Sequence, residues 1–496
     1  VIHEARELAG QLVSADLPSG GTEEVLRNLQ NYPFGGIALH QWDTGEAMEL
    51  RSRMVALWQE FATAALPAPF VALTEEGGTV HRFPGVVRPP SAMSLGEAND
   101  LELTEAIGRL WGRHLMAQGI NWNWAPVADV LSEAENQVIG TRSFSSDPER
   151  VARHAEAWIR GHQSEGIIAT AKHFPGHGMT QLDSHVARPV SSLSESDLAR
   201  HLEPFRTAIE GGVRAMMMSH VVYSEFDERP ATLSPYWYGK LRAMGFAGLA
   251  VTDALSMCAI SDVYTPSEAA VGAIAAGADV VDCGSWEIAL SALDAIALAC
   301  ERDSAFRKRA ENARHRVLAA KSSLLRPEMW PQIVSAEALA QGTWQSALRG
   351  SRIIRGDHQQ FEADFASCEE VWVSSRRAVE VEERDTSKRS EAVMQIDISR
   401  DGWRNELLEI AERPGALLLF TENVWKYPEM IPELRRICLR RRVAHVAVLD
   451  AVDLDHLLES EIALAVYGNF EQARNVTYSL LYGQEATQSI RARSNV

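Results

Sequence analysis

At 496 residues, with 46% hydrophobic and 23% charged residues, the chain is globular and too long for one ordinary core. A barrel of ~250 to 330 residues followed by a smaller domain is the natural division. A net charge of −19 argues against general binding to nucleic acid or to an anionic membrane. No apolar run, the stretch around Ala416 to Phe420 included, approaches a membrane span.

The five cysteines, Cys258, Cys283, Cys300, Cys368 and Cys438, are odd in number and lack a Cys-x-x-Cys spacing. That argues against a disulfide framework and a structural zinc site, and predicts reduced, buried thiols. The N-terminal residues lack a basic-then-apolar leader, so the cytoplasm is the expected compartment.

Short β-rich runs recur from the N-terminus: Gln11 to Asp16, Gly36 to His40, Phe70 to Thr74, Ile120 to Trp124, Ile167 to Ala171, Ala215 to Ser219, Gly248 to Thr252 and Asp279 to Asp282. Stretches with helical spacing separate them, such as Leu101 to Gly119 and Pro148 to Gly166. Eight alternations predict an α/β fold, a (β/α)8 TIM barrel over 1–330, with its site at the strand ends. Those ends read Glu75-Glu76-Gly-Gly, Ala125-Pro-Val-Ala-Asp129, Lys172-His173, His220 and Asp253. Arg326-Pro327 and Trp330-Pro331 mark a linker over 331–345. Runs at Glu370 to Ser374, Ala416 to Phe420, Val443 to Leu449 and Ile462 to Val466 then predict a smaller C-terminal α/β sandwich over 346–496. The charged segment from Arg376 to Arg389 reads as an exposed loop, and the arginines at 435, 436 and 440–442 as a solvated face.

The densest chemistry is Lys172-His173-Phe174-Pro175-Gly176-His177-Gly178, closely followed by Asp183-Ser184-His185. It follows the strand-like Gly166-Ile-Ile-Ala-Thr-Ala171, and Pro175 with two glycines makes it a rigid loop that presents side chains. A histidine-rich solvated loop is the bland alternative; the presence of Asp253 at another strand end weighs against it.

In order along the chain stand Glu76-Gly-Gly with Arg82, Gly119-Ile-Asn-Trp-Asn-Trp-Ala-Pro-Val-Ala-Asp129, Ile139-Gly-Thr-Arg-Ser-Phe144, Lys172 to Gly178, Asp183-Ser-His185, Ser219-His220 and Val251-Thr-Asp-Ala-Leu-Ser-Met257. Together these resemble glycoside hydrolase family 3, in its NagZ-like β-N-acetylglucosaminidase branch of two-domain type. The likeness covers residues 10 to 320. It implies an exo-acting, retaining hydrolase that removes terminal GlcNAc-type sugars through a covalent glycosyl-enzyme, with peptidoglycan- or chitin-derived fragments as substrates. By the resemblance, Asp253 is the nucleophile, His185 the acid/base and Asp183 its orienting partner. Lys172, His173, Arg142 and Arg82 match sugar-holding positions, with Thr74 and His220 beside them. The resemblance implies no cofactor and no metal, and a small glycoside or oligosaccharide as the binding partner.

The chemistry agrees with the resemblance. An oxocarbenium-like transition state needs an anion at one face of the anomeric carbon and a proton donor at the leaving oxygen. Asp253 supplies the anion; His185, with a reference pKa of about 6.5, gives and retakes a proton near neutrality. Asp183, two residues before it, points the same way in an extended segment. A metal site from His173, His177 and His185 has the right ligand type but neither a helical spacing nor a neighbouring motif. Trp122 and Trp124 share one strand face, where packing between strand and helix is expected rather than sugar stacking.

Three positions depart from the family pattern: Thr74 and Ala254 each stand where Asp is usual, and Thr79 where Arg is usual. Thr74 loses a charge-assisted hydrogen bond to the distal hydroxyls of the sugar. Two other readings are a glycoside phosphorylase, because neutral imidazole does not repel phosphate as a carboxylate does, and a retired carbohydrate-binding protein.

Overall fold

A computed structural model describes residues 2–17, 31–39, 47–83, 86–133, 136, 138–180, 188–355, 369–374, 393–397, 402–413, 416–421, 427, 429–448, 457, 460, 462–465 and 477. They divide into two compact units, 1–92 with 100–342, and 93–99 with 343–496.

The first unit is built on eight parallel strands: β1 (Val13–Asp16), β2 (Gly36–Ala38), β3 (Phe70–Leu73), β4 (Trp122–Asn123), β5 (Ile168–Phe174), β6 (Ala215–Met218), β7 (Leu249–Thr252) and β8 (Val281–Asp282). Their order is β8-β1-β2-β3-β4-β5-β6-β7. The ring closes where Val251 bridges Val280 and the Asp279 amide donates to Ala250 O at 2.7 Å. All eight expected runs form strands, several one or two residues shorter than read, because pairing stops where the barrel rim splays into loops. Apolar residues on both strand faces are explained by burial on both sides, as a closed parallel sheet requires.

Helices follow from local signals. Asp147 caps the helix Pro148–Gln163 by accepting from the Glu149 amide, with Pro148 in its first turn. This helix crosses Leu101–Ala117 through glycines: a Cβ on Gly161 would lie 2.1 Å from Glu105 O, and one on Gly108 2.5 Å from Trp158 O. Backbones in such contact hold the outer layer tightly behind β4 and β5.

One expectation is corrected. Trp122 Nε1 donates to Thr170 Oγ1 at 2.8 Å, and its ring meets Phe70 and Trp124 edge-on. Asn123, by contrast, reaches His162 on the helix Pro148–Gln163. The tryptophans therefore fill the barrel interior, and the asparagines face the helix layer. Asparagine is tolerated there because its amide replaces missing ladder bonds: Asn121 accepts from the Val71 amide and donates to Pro69 O.

Residues 331–335 are irregular and Ala336–Gly350 is helical; the division between the units falls inside that helix. The second unit carries a six-stranded mixed sheet. Its strands are β9 (Arg352–Arg355), β10 (Glu369–Ser374), β11 (Val393–Asp397), β12 (Leu417–Thr421), β13 (Val443–Ala447) and β14 (Ile462–Ala465), in the order β9-β14-β13-β12-β10-β11. The helices Trp403–Glu412 and Ile431–Arg440 bury Leu407, Ile410, Leu434 and Ile437 against Val371, Leu417 and Val443. The sequence reading missed β9 and β11. Among the described residues both are edge strands with one neighbour each, where polar residues such as Arg352 and Gln395 in the sequence mask the strand signal.

The expected loop from Arg376 to Arg389 lies outside the described residues. Cys258, Cys283 and Cys300 are free thiols, the last two buried; Cys438 is buried too, and Cys368 lies outside the described residues. No described helix is long and apolar enough to cross a membrane.

Candidate active site

Backbone hydrogen bonds stitch the strand ends into one rim. Trp124 N donates to Leu73 O at 2.8 Å, Ala128 N to Lys172 O at 2.6 Å, Ser219 N to Phe174 O at 2.8 Å and Asp253 N to Met218 O at 3.2 Å. The residues that follow β3 through β7 are thereby brought side by side, although almost 180 positions separate Glu76 from Asp253 in the chain.

Glu76, after β3, is the centre of a buried ionic cluster. Arg142 holds it with two bonds, Nε to Oε2 at 2.7 Å and Nη2 to Oε1 at 2.8 Å, and Lys172 Nζ lies 2.5 Å from Oε1. Burial alone would raise the Glu76 pKa; Arg142 and Lys172 outweigh it and hold the carboxyl well below its usual range. Burial lowers the Lys172 pKa, opposed by Glu76 and reinforced by Arg142. Arg142 rides on a short 3-10 turn, Gly140–Arg142, and also donates to Val138 O at 2.9 Å.

Asp253 directly follows β7 and accepts from the Ala254 amide at 2.9 Å. Burial would raise its pKa, but His220, His173 and Lys172, with that amide, hold it well below the ordinary value. The group is an ionised carboxylate framed by nitrogen bases. His220 Nε2 donates to Ala254 O at 3.0 Å, which fixes that ring against the β7 loop.

The loop after β5 is held by Asp129, at the end of the β4 loop. The Asp129 carboxylate, wholly buried, accepts from the His177 amide at 2.7 Å and pairs with His173 Nδ1 at 2.7 Å. A Cβ on Gly178 would sit 1.8 Å from Val130 O, so only glycine lets these two loops close. His177 donates or accepts through Nδ1 to Thr180 Oγ1 at 2.9 Å, and burial brings its pKa down to about 4. It is a loop-shaping residue in this arrangement.

Thr74 lies at the β3 end, partly buried. Glu75 does not stand in for the missing carboxylate there: its oxygens are taken by His81 Nδ1 at 3.0 Å and the Arg82 amide at 2.8 Å, and His81 packs against Trp111 of the outer helix. Arg82 is thus anchored through its backbone to Glu75. Asp183 and His185 lie outside the described residues. Sequence reasoning did not single out Glu76 and Asp129 as site residues. Both were visible as the acidic groups at two strand ends, and only their partners were missing.

The family model for the glycosyl hydrolase family 3 N terminal domain matches residues 5–320. The chain belongs to glycosyl hydrolase family 3. It is 36% identical over 295 residues to a beta-hexosaminidase of Thioalkalivibrio sulfidiphilus, covering 57% of this chain and 84% of that protein. It is 40% identical over 234 residues to a beta-hexosaminidase of Psychromonas ingrahamii, covering 45% and 69%. A solved glycoside hydrolase family 3 beta-N-acetylglucosaminidase from Paenibacillus sp. str. FPU-7 superposes with a TM-score of 0.85 at 28% identity, covering 97% of this chain and 96% of that one. In this family 3 glycoside hydrolase, the rim of the barrel thus sets the ionised Asp253 among a cluster of fixed donors. That combination suits a sugar whose anomeric carbon gains positive charge.

Proposed function

We propose that the chain is an exo-acting, retaining β-N-acetylglucosaminidase that removes terminal GlcNAc-type sugars from peptidoglycan- or chitin-derived fragments. The observation that carries the reading is Asp253, an ionised carboxylate at a barrel strand end beside Lys172, His173 and His220. The names of the relatives, beta-hexosaminidase and beta-N-acetylglucosaminidase, support the sugar class.

In the proposed reaction, Asp253 attacks the anomeric carbon while His185 gives its proton to the departing glycosidic oxygen. The sugar is left as an ester on Asp253. Water then attacks the same carbon, its proton passes to His185, and the aspartate leaves. Asp183 orients the imidazole. Lys172, Arg142, His173, Arg82, Thr74 and His220 bind and orient the sugar. Five cysteines, odd in number and without a Cys-x-x-Cys spacing, support action in a reducing compartment such as the cytoplasm.

The test is incubation with a chromogenic aryl β-N-acetylglucosaminide, with and without phosphate. Expected are release of the aryl alcohol at a rate indifferent to phosphate, and loss of turnover in Asp253→Ala. An intact protein that turns over no aryl β-glycoside would remove the reading.

A further inference from the structure

Three N–H groups from the end of β5 and the loop after it converge on the Asp129 carboxylate. The His177 amide reaches Oδ1 at 2.7 Å, the His173 amide lies 3.2 Å from Oδ1 and 3.3 Å from Oδ2, and His173 Nδ1 meets Oδ2 at 2.7 Å. An ionised carboxylate only accepts, so the nitrogen it meets at that distance carries a proton. The carboxylate is itself wholly buried, and it cannot turn away to water without breaking the other bonds. His173 in turn stands close enough to Asp253 to help hold that group ionised.

We propose that Asp129 is a positioning residue, which locks the His173 ring with its proton on Nδ1 and so presents Nε2 to the sugar bound over Asp253. The inference rests on the proposed role of His173 in sugar binding. Two of the three bonds build the loop, and the third sets the imidazole. A carboxamide at this place has one accepting oxygen and a donating NH2, so it cannot serve all three N–H groups. In Asp129→Asn the NH2 turns to the ring, His173 moves its proton to Nε2, and the group offered to the sugar is altered without any change of shape.

The test compares wild type, Asp129→Asn, His173→Gln and the double variant on the aryl β-N-acetylglucosaminide, together with nitrogen-15 NMR of histidine-labelled protein. Expected are a drop in kcat/KM of about 100-fold in Asp129→Asn, as small misplacements cause, and a double variant no worse than His173→Gln alone. The His173 signal, assigned by its absence in His173→Gln, should show a protonated Nδ1 in the wild type and an unprotonated one in Asp129→Asn. Multiplicative losses in the double variant, or wild-type kcat/KM in Asp129→Asn, would overturn the proposal. So would an unprotonated Nδ1 in the wild type, a measurement that needs no turnover and, beyond the folded His173→Gln used for assignment, no active variant. Inactivity of the wild type on the glycoside would sink the proposed function alone, and the NMR result would still decide this inference.

Discussion

Arg142 clasps Glu76 with both ends of its guanidinium, Nε to one carboxylate oxygen at 2.7 Å and Nη2 to the other at 2.8 Å. A planar fork meets a planar acceptor, and lysine cannot reproduce it. Arg142→Lys should therefore raise KM for the aryl glycoside about 10-fold or more and lower stability by about 1–3 kcal/mol. Steady-state kinetics beside thermal melting checks both. An unchanged KM would mean that the clasp does not shape the sugar site.

The titration of Asp253 bears on the pH profile. Its folded pKa is depressed, so its charge is lost only as pH falls well below the usual carboxylate range. No acid limb from the nucleophile should appear in kcat/KM above about pH 4. The proton donor is proposed to be His185, so activity should fall as pH rises past about 6.5 or a higher value set by Asp183. A profile that rises toward alkaline pH contradicts a histidine acid.

His162 gives a stability prediction. It is wholly buried, with Nδ1 at 2.9 Å from Gly108 O and Nε2 at 3.2 Å from the Asn123 amide nitrogen. The neutral ring satisfies both, donating at Nδ1 and accepting at Nε2, while an imidazolium would set donor against donor. Burial pushes its pKa down to about 3. Between that value and about 6.5 the unfolded chain binds the extra proton, so stability rises with pH across this window. The contribution is on the order of 3 kcal/mol between pH 4 and 7. Denaturant melts at pH 5 and 7 should show the slope, and His162→Gln should flatten it.

Thr74 is the fourth position with a clear expectation. Glu75 is committed to His81 and Arg82, so it does not replace the aspartate usual in the family. Thr74→Asp should lower KM for a GlcNAc glycoside about 10-fold, the worth of one charge-assisted hydrogen bond of about 1.5 kcal/mol. A rise in KM would indicate that the pocket has been rebuilt for a sugar with different distal groups.

The barrel was legible because each of its strands is buried on both faces. Such strands read as short apolar runs that end abruptly in a polar residue, and those polar residues are the rim. Asp253, Lys172, His173 and His220 could be named from this pattern alone. The edge strands Arg352–Arg355 and Val393–Asp397 could not, because one open side relaxes the demand for apolar residues.

The sequence by itself determined which residue types stand at the strand ends, since local burial and turn chemistry are written in neighbouring positions. Only the tertiary structure decided which of them pair. Glu76 meets Arg142 across 66 positions and Asp129 meets His173 across 44, distances set by barrel register rather than by any local pattern. It also decided that Trp122 and Trp124 face inward, because a strand's alternation says which residues share a face but not which face is the core.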